Sequence, residues 1–371
     1  MKIIQLVTSR KSRGAEISAQ RLSESLIQQG HQVWYVGLYG HPEDLQVDGG
    51  VSLDLTGRKS KLDLRLVFGL RKLIKEIKPG IVQANGSDTF KYASLAMIGI
   101  QDSKLVYRNI SVFSYWIGDR GVLKWIYKLL SYRIDHFVSV GQHAAVDLQK
   151  TLGLPKSKSS VIKRGFEIGF SDKVKSRGIV QEKWGLSDDD FILIQVGSLG
   201  MEKNIAFSLD VIATLKKELP QVKLLLVGAG AEEEFLRSKS EALAISGHVV
   251  FCGHQKEVRE MLAGADLLVL TSLVEGIPGV VIEAALQSTP TVAIKIPGTE
   301  ELVANGISGI LVDSYDIAQF ADRILALQKD SSWRYQLAEN ARKMALQEHN
   351  EKDNTTQFEA LYSSLVNASL K

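Results

Sequence analysis

Short apolar runs rich in Val, Ile and Leu recur along the 371-residue chain, separated by stretches whose apolar positions fall three and four apart. Runs of strand length alternating with helix-period stretches are the pattern of parallel strands wound with helices on both faces. In the first half the runs are residues 2–8, 32–37, 80–84, 104–108, 136–140 and 160–164. A second series follows at 191–197, 222–228, 248–253, 266–270, 290–294 and 308–312. Residues 165–188, between the two series, carry Ser, Lys and Gly without a convincing period, so a linker is expected at 171–185. The pattern predicts two tandem Rossmann-like, doubly wound α/β domains, residues 1–170 and 186–351. Each presents loops at the carboxyl ends of its strands, so a cleft between them is the expected site. In the final stretch, 352–371, Phe358, Leu361, Tyr362 and Leu365 form an i, i+3, i+4, i+7 stripe expected to pack back on the first domain.

A hydrophobic fraction of 45% over this length suits two cores better than one. The single cysteine, Cys252, sits in an apolar strand-like run, so no internal disulfide forms and a reducing, cytoplasmic setting fits. The first apolar run is shorter than a signal peptide's and meets Arg10 and Lys11 at once, and no segment reads as a membrane span. Net charge is +3, but residues 1–180 hold 28 Lys and Arg against 15 Asp and Glu, whereas residues 181–371 hold 17 against 27. A basic half suits nucleic acid, an anionic membrane face or a phosphorylated acceptor, and composition does not choose among them.

Two segments of the second half carry the chemistry. After the run 191–197 come Ser198, Lys203 and Asn204 and then a helical stretch, which sets a cation at a strand-to-helix crevice. A lysine entering a helix N-terminus adds a point charge to the backbone N–H groups there and suits a diphosphate. After the run 266–270 comes Glu275-Gly276-Ile277-Pro278-Gly279-Val280-Val281-Ile282-Glu283. Pro278 suits a helix's first turn, and Gly276 and Gly279 let a ligand approach the backbone, so N–H groups near Gly279 and Val280 would face an anion. Glu283 falls about one turn inside that helix, flanked by apolar residues that predict partial burial. Glu275 stays in the loop ahead of it. Ionised carboxylates at these two points match ribose and sugar hydroxyls, which are donors.

With seven residues between Glu275 and Glu283, and with Gly197-Ser198-Leu199 and Lys203-Asn204 ahead of them, the chain resembles the retaining glycosyltransferases of family 4, whose fold is called GT-B. The likeness spans nearly the whole chain. It implies a nucleotide-sugar donor, linked to uridine or guanosine diphosphate, held by the second domain. By that resemblance Lys203 meets the diphosphate, Glu283 the ribose, Glu275 the donor sugar, and Gly253 and His254 the nucleobase. Lys203 and Glu275 are the residues implied in catalysis. The acceptor, a glycan, lipid-linked sugar or small molecule, falls to the first domain, where Gly14 resembles the glycine whose loop nears the donor phosphates. Two departures stand out. Ser198 occupies a place where the family often has arginine, and Arg108-Asn109 ends the fifth run of the first domain where a histidine is common. Arg164, and Asn109 itself, are candidates for phosphate or acceptor contacts.

Gly228-Ala229-Gly230 imitates a dinucleotide fingerprint, but Glu233 replaces the third glycine and no acid follows at the required distance. Asp188-Asp189-Asp190 precedes a strand and so lies at the wrong sheet edge for a ligand, and no histidine has a convincing metal spacing. Neither a metal nor another cofactor is therefore expected, and no nucleic acid. The basic stretch 58–78 and the segment Arg120–Arg133 remain. The latter mixes cations with aromatics and leucines, which fits either an interfacial helix on the inner face of a membrane or a core helix with snorkelling lysines. The reaction expected is sugar transfer with retention. A nucleotide-sugar epimerase or hydrolase, or a non-catalytic binder of a nucleotide-sugar or lipid, are the rivals.

Overall fold

A computed structural model of the chain describes residues 1–11, 14–40, 45–55 and 62–368. The chain divides into two compact units, the first being residues 1–165 with 351–371 and the second 166–350. The first sheet contains β1 (Lys2–Ser9), β2 (Gln32–Tyr39), β3 (Val51–Asp54), β4 (Ile81–Asn85), β5 (Lys104–Asn109), β6 (His136–Ser139) and β7 (Ser159–Val161). The second contains β8 (Phe191–Val196), β9 (Val222–Val227), β10 (Val249–Gly253), β11 (Leu267–Leu270), β12 (Thr291–Ile294) and β13 (Ile310–Val312). Spatial order is β3-β2-β1-β4-β5-β6-β7 in one sheet and β10-β9-β8-β11-β12-β13 in the other, and the strands of both sheets pair in parallel among the described residues. Both are doubly wound sheets whose order reverses beside the first strand, at β1/β4 and at β8/β11. That reversal opens a crevice at the carboxyl end of the strands.

The central strands read as continuous apolar runs because helices cover both faces. Ile192, Leu193 and Ile194 of β8 alternate between two separate apolar clusters, one on each side of the sheet. In the first unit Ile4 and Leu6 face one cluster and Ile3 faces another, which is completed by the final helix Glu351–Asn367 through fully buried Phe358 and Tyr362. Leu361 and Leu365 flank them, half-buried. The Tyr362 hydroxyl donates to Gln83 Oε1 at 2.6 Å and accepts from Gln5 Nε2 at 3.2 Å, so a buried polar network ties the helix to β1 and β4.

Two features differ from the sequence expectation. The stretch expected as linker, 171–185, forms the helix Lys173–Trp184 of the second unit, capped by Asp172 at its start and by left-handed Gly185 at its end. Only Ser176 and Val180 of that helix are buried, so no apolar stripe announces it. It crosses the helix Val258–Gly264 at Gly264, where a Cβ would stand 2.8 Å from the Ser176 carbonyl oxygen. The chain instead passes between units at Gly165 and Phe166, where Phe166 N donates to His349 O at 2.8 Å beside the returning segment. The other difference is β3, four half-exposed or exposed residues at a sheet edge, too short to register as a periodic run.

Candidate functional site

In the second unit the crevice lies between the ends of β8 and β11. After β8 the chain makes a short 3₁₀ turn, Met201–Lys203, and Asn204 takes a left-handed conformation (φ 48°) before the helix Ile205–Leu215. Asparagine tolerates that conformation better than most residues. The turn is anchored from beneath: Thr271 Oγ1, at the end of β11, donates to the carbonyls of Lys203 (3.2 Å) and Asn204 (3.1 Å). Thr271 Oγ1 in turn accepts from Gln195 Nε2 at 3.0 Å, and Ser208 Oγ donates to Gln195 Oε1 at 2.7 Å. This buried polar chain fixes the lysine's backbone without using its ammonium.

The Lys203 ammonium donates to Glu275 Oε1 at 2.6 Å, and Ser272 Oγ donates to the same oxygen at 2.7 Å. Both donors hold one carboxylate oxygen, which leaves Oε2 for a ligand. The Tyr315 hydroxyl donates to the Ser272 carbonyl at 2.9 Å and steadies that corner. Behind the loop, a Cβ on Gly298 would lie 2.6 Å from the Glu275 carbonyl oxygen, so the backbone of residue 298 is itself the wall. Ser272, Tyr315 and Gly298 escape sequence reading, since Tyr315 and Gly298 lie far along the chain from the loop they brace.

Pro278 is the N-cap of the helix Gly279–Leu286, one position earlier than a first-turn proline, and no side chain caps that helix. The N–H groups of Gly279 and Val280 are its leading donors, at the positive end of the helix dipole. Glu283 lies in the second turn, half-buried, and its carboxylate has no hydrogen-bond or ion-pair partner among the described residues. Ser198 is exposed, and its hydroxyl donates to Glu202 Oε1 at 2.9 Å, so a carboxylate accompanies this position, where the resembled family often has arginine. Gly253 ends β10 at the sheet's outer edge with φ 62°, and His254 beside it is exposed. Strands spaced about 4.8 Å apart put the end of β10 roughly 10 Å from that of β8 and roughly 14 Å from that of β11. Gly228 and Gly230 have a packing reason: a Cβ would fall 1.8 Å from Gly197 O and 2.3 Å from Leu199 O, respectively. Among the described residues no three His, Cys, Asp or Glu side chains cluster to hold a metal ion.

In the first unit Gly14 is exposed and opens the helix Gly14–Gln28; Ser12 and Arg13 of its loop lie outside the described residues. Arg164 Nη2 donates to the Gly14 carbonyl at 2.7 Å. Asn109 ends β5 buried, with its amide donating to the Ala144 carbonyl at 3.1 Å, so it faces the helix Gln142–Leu152. Arg108, its neighbour on β5, points to the opposite face and donates to Ser18 Oγ at 3.0 Å. Desolvation and the nearby Arg164 charge lower the Arg108 pKa to about 10, so it stays protonated at neutral pH.

Residues 12–170 match the model described as Glycosyltransferase Family 4, and residues 176–344 match Glycosyl transferases group 1. N-acetyl-alpha-D-glucosaminyl L-malate synthase of Bacillus anthracis is 29% identical over 189 residues, 50% of this chain and 49% of the relative, so the chain spans about half of it. UDP-Gal:alpha-D-GlcNAc-diphosphoundecaprenol alpha-1,3-galactosyltransferase of Escherichia coli is 24% identical over 278 residues, 72% of this chain and 71% of that one. Among solved structures, Anabaena HepE in complex with UDP-glucose superimposes with a TM-score of 0.87 at 21% identity, covering 98% of this chain and 100% of that chain. The two family models run back to back over most of the sequence, and the chain belongs to glycosyltransferase family 4, group 1, with the GT-B fold.

Proposed function

We propose that the protein transfers a sugar from a uridine-diphosphate-linked donor, with guanosine diphosphate as the alternative, to an acceptor hydroxyl, with retention. The observation that carries this reading is the Lys203–Glu275 pair at the β8/β11 crevice, beside an uncapped helix N-terminus and the unpartnered Glu283 carboxylate. A nucleotide-sugar laid along the carboxyl edge of the sheet meets each of them in turn. Its base lies toward Gly253 and His254, its ribose hydroxyls donate to Glu283, its diphosphate takes Lys203 and the N–H groups of Gly279 and Val280, and its sugar hydroxyls donate to Glu275 Oε2.

In the reaction the bond from the anomeric carbon to the diphosphate oxygen breaks, and a bond to the acceptor oxygen forms on the same face. The acceptor's hydroxyl proton passes to the departing diphosphate. Lys203 and the helix N–H groups offset the charge growing on that leaving group, the part a divalent ion plays elsewhere; we expect EDTA to leave the rate unchanged. Incubating the protein with labelled UDP-sugars and an acceptor panel tests the reading. A glycosylated product with the donor's anomeric configuration supports it, whereas free sugar, an epimer, or binding without turnover points to a hydrolase, an epimerase or a binding protein.

A lipid-linked glycan is the acceptor class best matched by the first unit's surface. In the helix Gly121–Ser131, Leu123, Tyr127 and Leu130 face the core, while Val122 (76% exposed), Trp125 (64%) and Leu129 (55%) face outward between Lys124 and Lys128. Outward apolar side chains flanked by cations suit the surface of an anionic bilayer. Among the described residues no helix is long and apolar enough to cross a membrane. Co-sedimentation with vesicles containing anionic lipid, compared with neutral vesicles, tests this; equal and negligible binding to both contradicts it.

A further inference from the structure

The first unit buries two arginines near the carboxyl edge of its sheet and treats them differently. Arg10 forms a bidentate pair with Asp54, Nε to Oδ1 at 2.9 Å and Nη2 to Oδ2 at 2.6 Å. Room for that carboxylate comes from Gly37, where a Cβ would lie 2.1 Å from Asp54 Oδ1. Arg108 is more deeply buried, at 1% exposure, yet among the described residues its side chain makes one hydrogen bond, to the neutral Ser18 hydroxyl, and its guanidinium stacks 5.3 Å from the Phe358 ring. Its Nε and Nη1 have no hydrogen-bond partner among the described residues. The charged or ionisable groups that bear on it are Arg164, a like charge, and Tyr362, whose hydroxyl burial keeps neutral.

Taking an unpaired guanidinium out of water costs several kcal/mol. A second cation and the positive end of a helix beside it raise that cost. Arg108 reaches Ser18 in the second turn of the helix Gly14–Gln28, and Arg164 reaches the carbonyl of Gly14, its first residue, so both guanidiniums lie against the start of one helix. Positive potential from three sources converges on Arg108, and no carboxylate is among the groups that bear on it; Glu16, the buried acid in the first turn of the same helix, bears on Tyr35.

We propose that this place is an oxyanion site: Arg108 and Arg164, at the N-terminus of the helix Gly14–Gln28, hold a phosphate-type or carboxylate group of the acceptor. The site stands on first-unit residues alone. That its anion belongs to the acceptor, and not to the donor phosphates that the resemblance brings near the Gly14 loop, rests on the donor assignment above, which gives the donor diphosphate to Lys203 in the second unit.

Inorganic phosphate and UDP, titrated separately into the full-length protein with thermal unfolding as readout, test both parts. Phosphate stabilises the wild-type protein, and Arg164→Ala weakens that response about tenfold or more, the loss of one charge-assisted contact. Lys203→Ala leaves the phosphate response intact and weakens the UDP response instead. Arg108→Met abolishes the phosphate response and, in phosphate-free buffer, unfolds no earlier than wild type, because the uncompensated charge is gone. Should Arg108→Met fail to fold, Arg164→Ala still decides the matter. No stabilisation by phosphate, or a phosphate response that survives Arg164→Ala, overturns the site. A UDP response lost with Arg164→Ala and kept with Lys203→Ala assigns the anion to the donor and overturns the acceptor assignment.

Discussion

The carboxyl edges of the two sheets handle charge in opposite ways. In the second unit the cation and the carboxylate proposed for the donor already hold each other, Lys203 to Glu275 at 2.6 Å, and Ser272 shares the same oxygen. In the first unit Arg108 is buried, and two of its nitrogens have no hydrogen-bond partner among the described residues. A compensated pair is stable while empty and exchanges partners when a ligand arrives. An uncompensated cation makes the empty state costly and the anion-bound state favourable. The half with the basic balance is thus also the half with a buried positive charge left over.

That contrast can be broken at several points. The largest effect is expected at the crevice itself: Lys203→Ala removes the leaving-group cation and should lower kcat about 10²–10³-fold, measured with saturating donor. Glu283→Ala should weaken UDP binding about tenfold or more, read by calorimetry, because a charge-assisted bond to ribose is lost. On stability, Asp54→Ala strands Arg10 and should cost up to about 3 kcal/mol in denaturant unfolding, whereas Arg108→Met should be neutral or stabilising. Equal destabilisation by both would show that the two arginines are equivalent and dissolve the comparison. The smallest effect is expected for Ser272→Ala, which leaves Glu275 paired with Lys203 but less firmly aimed. We expect a severalfold loss in kcat with UDP affinity unchanged, as for a positioning residue.

Much of this arrangement is legible in the sequence because its parts are local. Glu275, Pro278, Gly279 and Glu283 occupy one loop and one helix, and the apolar runs around them fix which sheet edge they reach. The core strands are legible for the same reason, each being a continuous apolar run. What sequence does not show is non-local or unpatterned. The helix Lys173–Trp184 buries too few apolar residues to display a stripe, and β3 is an edge strand of four residues. Tyr315 and Gly298 brace a loop they neither neighbour nor resemble in sequence. Arg108 reads on paper as a charged strand end, and its isolation from any carboxylate follows only from how Phe358 and the helix Gly14–Gln28 close over it.

In the reading proposed above, Lys203 is the diphosphate cation and Glu275 holds it in reserve. Calorimetric titration of UDP into wild type, Lys203→Ala and Glu275→Gln tests this most directly. Binding at least about tenfold weaker is expected in Lys203→Ala. Undiminished or tighter binding is expected in Glu275→Gln, where the lysine is released from its ion pair. Unchanged affinity in Lys203→Ala would contradict that reading.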